Sequence, residues 1–326
     1  RDAAARRLAM LATERAGNLP LVPQADPAGW WGTRARSTAA GPVRPADAPV
    51  ALSGSALMGL VGCPMRWFLE REAGGARPTG SAQGFGLVVH ALADRVAKGE
   101  LVDAEQIRPL IDRVWSELSF ETPWARDRQR AEVDVVVDRF LAWHHAPGAR
   151  TVVASELPFA VQVQLPDGEH ARLRGTVDRL ELDADGRVVV VDLKTQKKAA
   201  TRAELAEHPQ LGVYQLAVDA GGFDEHLEQA LRPGRCGGAE LVQLRATSGP
   251  QAKVQIQPPL VGQGGDETGG VVGGDTEGRA RLVETQLMQA ASAIRSERFE
   301  ARPGDHCRHC SFVAICPSRG SGTVLS

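Results

Sequence analysis

The sequence predicts an α/β (α+β) fold: a small mixed sheet flanked by helices, with a helical N-terminal half and a cysteine clasp at the C-terminal end. Three observations carry this. Apolar residues recur at helical spacing from Ser53 to His145, strand-like alternation takes over at Thr151, and Cys307, Cys310 and Cys316 lie within ten residues of one another near the end.

The elements follow in order. Arg1 to Glu14 reads as a charged, Ala-rich helix without a signal-peptide pattern. Residues 20–50 hold many Pro, Gly and Ala and read as an irregular connector that docks through Trp30-Trp31. Ser53-Gly54-Ser55 caps a helix carrying Leu57, Leu60, Trp67 and Phe68, which Cys63-Pro64 kinks or restarts. Gly84-Phe85-Gly86 opens a helix over Leu87 to Ala97; others span Asp103 to Leu118 and Arg126 to His145. Strands are expected over Val152 to Gln164, Arg172 to Leu182 and Arg187 to Asp192. Asp183-Ala184-Asp185-Gly186 forms the hairpin turn between the last two. Thr201 to Asp219 returns to helix. Glu240 to Arg245 reads as a short apolar strand paired with Ala252 to Gln257, Gly262 to Gly274 as a mobile Gly-rich loop, and Arg279 to Ser296 as a last amphipathic helix.

Composition narrows the function classes. At 326 residues the chain can bury a large core. Its net charge of -2 does not announce a nucleic-acid binder, so any such binding relies on local patches. No apolar stretch approaches the ~20 residues that a bilayer span requires, and no membrane association is expected. Five cysteines, an odd number, fit a reducing cytoplasm and a metal site better than a disulfide scaffold. The chain begins at Arg1 rather than Met and reads as part of a longer polypeptide.

The chemistry concentrates at Asp192-Leu193-Lys194, where the run Val188-Val189-Val190-Val191 ends. Asp178, in Gly175-Thr176-Val177-Asp178-Arg179, comes from the neighbouring hairpin strand. Two carboxylates and water make a hard oxygen site suited to Mg2+ or Mn2+. Lys194 lies two residues beyond Asp192, on the same strand face, where its ammonium can steady a hydroxide or a charged phosphoryl oxygen. Alone, Asp-x-Lys is also a common solvated strand end, though four valines leading into it argue for burial. Gln210 and Tyr214, four apart on the following helix, read either as site residues or as ordinary packing. His90 is either a metal-reaching imidazole or a satisfied helical histidine. Glu156 is a secondary candidate that pairs with Arg174 or Arg179 or approaches the metal. Cys307-x2-Cys310-x5-Cys316 leaves a tetrahedral or cubane site one ligand short, and Cys63 is the best fourth donor. Structural Zn2+ using His306 or His309 is the alternative, and Cys236 reads as a free loop thiol.

Together these residues resemble the RecB-type branch of the PD-(D/E)xK nucleases, with a restriction-endonuclease-like core. The resemblance covers about 51–318, with the sheet core at about 151–260. It implies Asp178 and Asp192 as metal ligands, assisted by His90 and the Leu193 carbonyl. It implies Lys194 as the catalytic lysine, and Gln210 and Tyr214 as organisers of the site or of DNA. Cys63-Pro64-Met65-Arg66-Trp67-Phe68 is similar to the first ligand region of AddB-like nucleases, which implies a [4Fe-4S] cluster on Cys63, Cys307, Cys310 and Cys316. Ala25-Asp26-Pro27 through Gly32 looks like the end of a linker from a helicase-like region, placed here at 1–50. The resemblance thus implies a cytoplasmic, ATP-dependent helicase–nuclease subunit of the AddAB or AdnAB type. Its partners would be single-stranded DNA, a helicase domain of the same polypeptide and a second helicase–nuclease subunit, acting in recombinational repair. A stand-alone Cas4-like iron–sulfur nuclease, a catalytically silent DNA-binding scaffold and a zinc-clasped interaction module are the alternatives.

Overall fold

The computed structural model describes residues 2–27, 41–42, 44–45, 48–76, 81–118, 120, 122–148, 150–246, 249–260 and 276–318. Trp30, Trp31 and the Gly262 to Gly274 segment lie outside these residues. The chain divides into two units, Arg1–Ala46 and Asp47–Ser326. The first contains helix α1 (Asp2–Thr13) and a short antiparallel pair, β1 (Arg15–Ala16) and β2 (Leu19–Pro20).

The second unit is built on a mixed sheet. Its strands are β3 (Val50–Leu52), β4 (Thr151–Gln164), β5 (His170–Leu182), β6 (Val188–Lys194), β7 (Cys236–Gln243) and β8 (Lys253–Gln257). They run in the order β3-β5-β6-β7-β8, with β4 paired to β5. The β5–β6 and β7–β8 pairs are antiparallel, whereas β6 and β7 are parallel. The turn between β5 and β6 holds as expected. Asp183 Oδ1 accepts from the backbone N–H groups of Asp185 and Arg187, each at 2.9 Å, and Gly186 takes the left-handed φ of +70° that closes it.

β6 is buried through Leu193 because helices cover both sheet faces, which is why it reads as a continuous valine run rather than an alternating one. Val188 and Val190 pack with α2 (Gly54–Gly62), α8 (Pro209–Asp219) and α9 (Thr276–Arg295) in one apolar core. Val189, Val191 and Leu193 pack on the other side with α4 (Ser81–Ala97), α5 (Ala104–Glu117) and α6 (Pro123–His144) in a second. Truncating a buried leucine of either core to alanine costs about 2–5 kcal/mol.

The helix restarts at Cys63-Pro64 as expected, with α3 (Pro64–Arg71) following at once and Cys63 extended between the two. Other boundaries differ from the sequence reading. The helix expected over Thr201 to Asp219 is two: α7 (Arg202–Ala206) and α8. Pro209 disfavours helical backbone at His208, which instead caps α8. Cys236 is not a loop thiol. It opens β7, is buried beside Gln215, and burial pushes its pKa up to about 12. β3 was not foreseen; three residues carry no period, and its parallel pairing with β5 residues 171–173 is a tertiary fact.

A buried ionic chain crosses the sheet. Arg150 holds Glu181 at 2.9 Å and both oxygens of Glu240, and Arg179 donates to Glu181 at 2.6 Å and to His144 Nδ1 at 2.8 Å. Two guanidinium groups thus meet two carboxylates, so neither sign is left buried and unpaired.

Candidate active site

The site forms where β5 and β6 end, reached from both helical layers. Arg179 pairs with Val191 across the antiparallel ladder, which sets Asp178 beside Asp192. Asp178 Oδ2 accepts from the Leu193 N–H at 2.7 Å. Its Oδ1 faces His90 Nδ1 at 3.3 Å, and Glu156 Oε1 lies 3.7 Å from the same nitrogen. His90 comes from α4, Glu156 from β4 and Asp178 from β5. Ligand atoms of the three lie within 4.8 Å of one another.

Glu156 therefore takes one of the roles open to it in the sequence and not the other. It does not pair with Arg179, which points into the ionic chain behind the sheet. Its backbone is in the left-handed region, φ +47°, a conformation that costs a non-glycine residue on the order of 1 kcal/mol and persists only where the surroundings impose it. That bend turns an exposed carboxylate toward His90 and Asp178. Partial burial and the nearby Asp178 charge raise the Glu156 pKa. Burial lowers that of His90, but Asp178, Asp192 and Glu156 outweigh it and hold the imidazole above its ordinary value.

Asp192 sits differently. It is 2% exposed and pairs with Lys194, Oδ2 to Nζ, at 2.6 Å. Its Oδ1 accepts from Gln210 Nε2 at 2.8 Å and from the Tyr214 hydroxyl at 3.4 Å. Gln210 Oε1 in turn accepts from Lys194 Nζ at 3.0 Å. Burial raises the Asp192 pKa to about 6 against the opposing pull of Lys194. Burial and the two aspartates raise that of Tyr214. Leu193 buries its side chain in the core on the α4 side while its N–H orients Asp178.

Sequence reading missed one participant in this geometry. A Cβ built on Gly54, at the start of α2, would stand 2.8 Å from Gln210 Cγ, so only glycine lets α2 approach the residue that bridges Asp192 and Lys194. Ser53-Gly54 read only as a helix start.

The donor set suits a divalent cation. Carboxylate oxygens and an imidazole converge, like charges crowd Asp178 and Glu156, and a cation would relieve that crowding. The cysteines are less closely gathered. Cys63 Sγ accepts from the Arg302 N–H at 3.4 Å and Cys307 Sγ from the Gly304 N–H at 3.4 Å. The tail therefore returns to the α2–α3 junction. None of the five cysteines is in a disulfide, and among the described residues no three of them bring their sulfurs within 4.8 Å of one another.

A mixed sheet clad by helices on both faces, with its carboxylates at the ends of adjoining strands, has the restriction-endonuclease-like architecture. The sequence profile of the PD-(D/E)XK nuclease superfamily matches residues 51–317, and over that span the chain belongs to the family. Membership makes it a nuclease domain of a superfamily that uses divalent metals. No curated protein matches the chain. Among solved structures, one described as "Crystal structure of SSO0001" is similar at 14% identity and a TM-score of 0.37, covering 82% of this chain and 86% of that one. Among the described residues, no helix is long and apolar enough to cross a membrane.

Proposed function

We propose that the chain is a Mg2+- or Mn2+-dependent deoxyribonuclease that cuts single-stranded DNA. The observation that carries this is the juxtaposition of two clusters. His90, Glu156 and Asp178 converge within 4.8 Å, and Asp192, Lys194 and Gln210 are joined beside them by contacts of 2.6–3.0 Å. In this reading Asp178 and Asp192 hold the metal with His90 and the Leu193 carbonyl, and Glu156 adds a carboxylate. A bound divalent ion supplies an ionised water near neutral pH and neutralises phosphate charge. Lys194 offers its ammonium to the attacking oxygen or to the charge developing on the phosphoryl group. Gln210 and Tyr214 hold Asp192 and Lys194 at fixed spacing, so the ammonium is positioned before substrate arrives. The test is cleavage of single- and double-stranded DNA with Mg2+ or Mn2+. Asp192→Ala and Lys194→Ala should each abolish cutting while leaving the melting transition cooperative; cutting by either variant at the wild-type rate sinks the assignment.

The wider setting belongs to the same proposal. Residues 1–50 are read as the end of a helicase-like region, and the domain as the cytoplasmic nuclease of an AddAB- or AdnAB-type machine that feeds it a single strand during break repair. A [4Fe-4S] cluster on Cys63, Cys307, Cys310 and Cys316 would staple the two ends of the domain. The return of the tail to Cys63 supports this, as does the position of the four thiols at those ends. Metal and sulfide analysis of anaerobically purified protein tests it: zinc without iron or sulfide rejects the cluster.

A further inference from the structure

Three cations converge on one carboxylate beyond the ends of β6 and β7, and none of the roles above uses them. Glu132, on α6, offers Oε1 to Arg128 Nε at 3.4 Å and to Lys197 Nζ at 3.7 Å, while its Oε2 accepts from Arg245 Nη2. The Arg245 side chain is mostly buried, with its guanidinium over the Phe85 ring at 4.5 Å. Burial lowers its pKa, and the charge of Arg128 lowers it further. The side chains of Arg128 and Lys197 are 57% and 63% exposed. The other acids on this stretch of α6 are paired elsewhere, Asp127 with Arg126 at 3.1 Å and Asp134 with Arg130 at 2.7 Å. Arg128, Lys197, Arg245 and Glu132 thus carry two positive charges in excess, and the exposed cations present them to solvent. Trp124, one turn before Arg128, is 69% exposed, and Arg128 Cζ lies 5.4 Å from its ring centroid. Excess cations beside an exposed aromatic ring combine attraction for phosphate with a face on which a base can stack. That combination holds a single strand without regard to its sequence.

The position fits the same ligand. Leu244, just past β7, donates its N–H to the Lys194 carbonyl at 2.9 Å, so Arg245 leaves the sheet beside Lys194. Phe85, under Arg245, belongs to the helix that carries His90. Lys197 follows Lys194 by three residues, so their Cα atoms are at most about 11 Å apart. A stacked strand covers that span in about three nucleotides at about 3.4 Å each. With a net charge of -2, the chain depends on a local patch of this kind to hold nucleic acid.

We infer that Trp124, Arg128 and Lys197 form a track for the bound single strand, with a backbone phosphate on the two exposed cations, about three nucleotides from the phosphate at Lys194, and a base stacked on Trp124. The inference rests on the nuclease reading for its choice of ligand. Its test does not depend on cleavage. Binding of the full chain to labelled oligothymidylate and to a base-free sugar–phosphate strand of equal length is measured by anisotropy without divalent metal, from about 50 to 200 mM salt. The double variant Arg128→Gln/Lys197→Gln should bind both strands more weakly, with a slope of log affinity against log salt shallower by about 0.7 or more. Glu132 keeps Arg245 as its partner in that variant, so its melting should match wild type. Trp124→Ala should bind oligothymidylate about tenfold more weakly and the base-free strand as wild type does. An unchanged salt slope in the double variant, or an unchanged oligothymidylate affinity in Trp124→Ala, overturns the track. Mn2+-dependent cleavage by wild type, measured in parallel, separates the two readings. Cutting together with strand binding that neither variant alters rejects the track alone, and the expected binding losses without cutting reject the nuclease assignment alone.

Discussion

Gln210 bridges Asp192 and Lys194: its amide nitrogen donates to Asp192 Oδ1 at 2.8 Å while its oxygen accepts from Lys194 Nζ at 3.0 Å. One side chain thereby braces a buried carboxylate and the cation that pairs with it directly at 2.6 Å. Replacing it with leucine keeps most of the volume but removes both contacts, together with the 2.7 Å donation to the Tyr214 hydroxyl, and leaves Asp192 Oδ1 the longer bond from Tyr214. Gln210→Leu should lower the cleavage rate about 10- to 100-fold through loss of positioning. It should also cost about 1–3 kcal/mol of stability. Single-turnover cleavage and denaturant unfolding measure the two effects separately. An unchanged rate would show that Lys194 does not need this bridge.

Glu156 holds its carboxylate near His90 and Asp178 at the expense of backbone strain, φ +47°. Glu156→Gly removes the strain and one of two crowded charges, although glycine also raises the entropy of the unfolded chain. The strain and charge terms should win, giving a protein more stable by about 1 kcal/mol or less. Mn2+ affinity should fall roughly tenfold in the same variant, since one oxygen donor is gone. Thermal melting and Mn2+ titration calorimetry should therefore move in opposite directions, and a loss of both stability and affinity would mean that the bend is supported by more than its carboxylate.

Much of this geometry was legible in the sequence because it is local. Asp178, Asp192 and Lys194 sit on a hairpin whose turn residues and valine run specify register, and register alone brings the two aspartates together. Gln210 and Tyr214 were legible by helical spacing and family likeness. What could not be read was set by distant packing. The φ of Glu156 and the close approach of Gly54 to Gln210 have no local signature. The pairing of Arg179 with Glu181 and His144, rather than with Glu156, depends on which way β5 turns each residue relative to α6. Cys236 looked like a loop thiol because glycines flank it, yet β6 recruits that segment as a parallel strand.

Acid should weaken the fold through two histidines held neutral. His208 accepts the Leu211 N–H that caps α8, and His144 accepts from Arg179. Burial, followed by the charge of Lys194 for His208 and of Arg179 for His144, lowers both pKa values from 6.5 to about 4. The unfolded chain thus binds these protons first, so the stability present above pH 6.5 is lost as pH falls toward about 4. For the buried His208 the loss is on the order of 3 kcal/mol. His208→Asn keeps a good capping side chain without a titrating group. Melting temperature measured from pH 7.5 down to about 4.5 should fall less steeply in that variant, whereas parallel curves would place the acid sensitivity elsewhere.

Gly54→Ala tests how closely the α2 layer controls the site. The added methyl would lie 2.8 Å from Gln210 Cγ and 3.1 Å from its Cα, so a backbone contact is involved and rotation of the glutamine side chain cannot relieve it. Either α2 retreats or the start of α8 shifts by a few tenths of an ångström. Helix propensity alone would favour alanine by up to about 1 kcal/mol. Overpacking typically costs about 1–3 kcal/mol, so the clash should win and the protein should melt earlier. Any shift of α8 moves Gln210 relative to Asp192 and Lys194, and the cleavage rate should drop about tenfold or more, while metal affinity, which rests also on His90, Glu156 and Asp178, should fall much less. That split distinguishes displacement of Gln210 from general unfolding, which would lower metal binding and catalysis together. A Gly54→Ala protein that cuts at the wild-type rate would show that α2 alone yields to the methyl group.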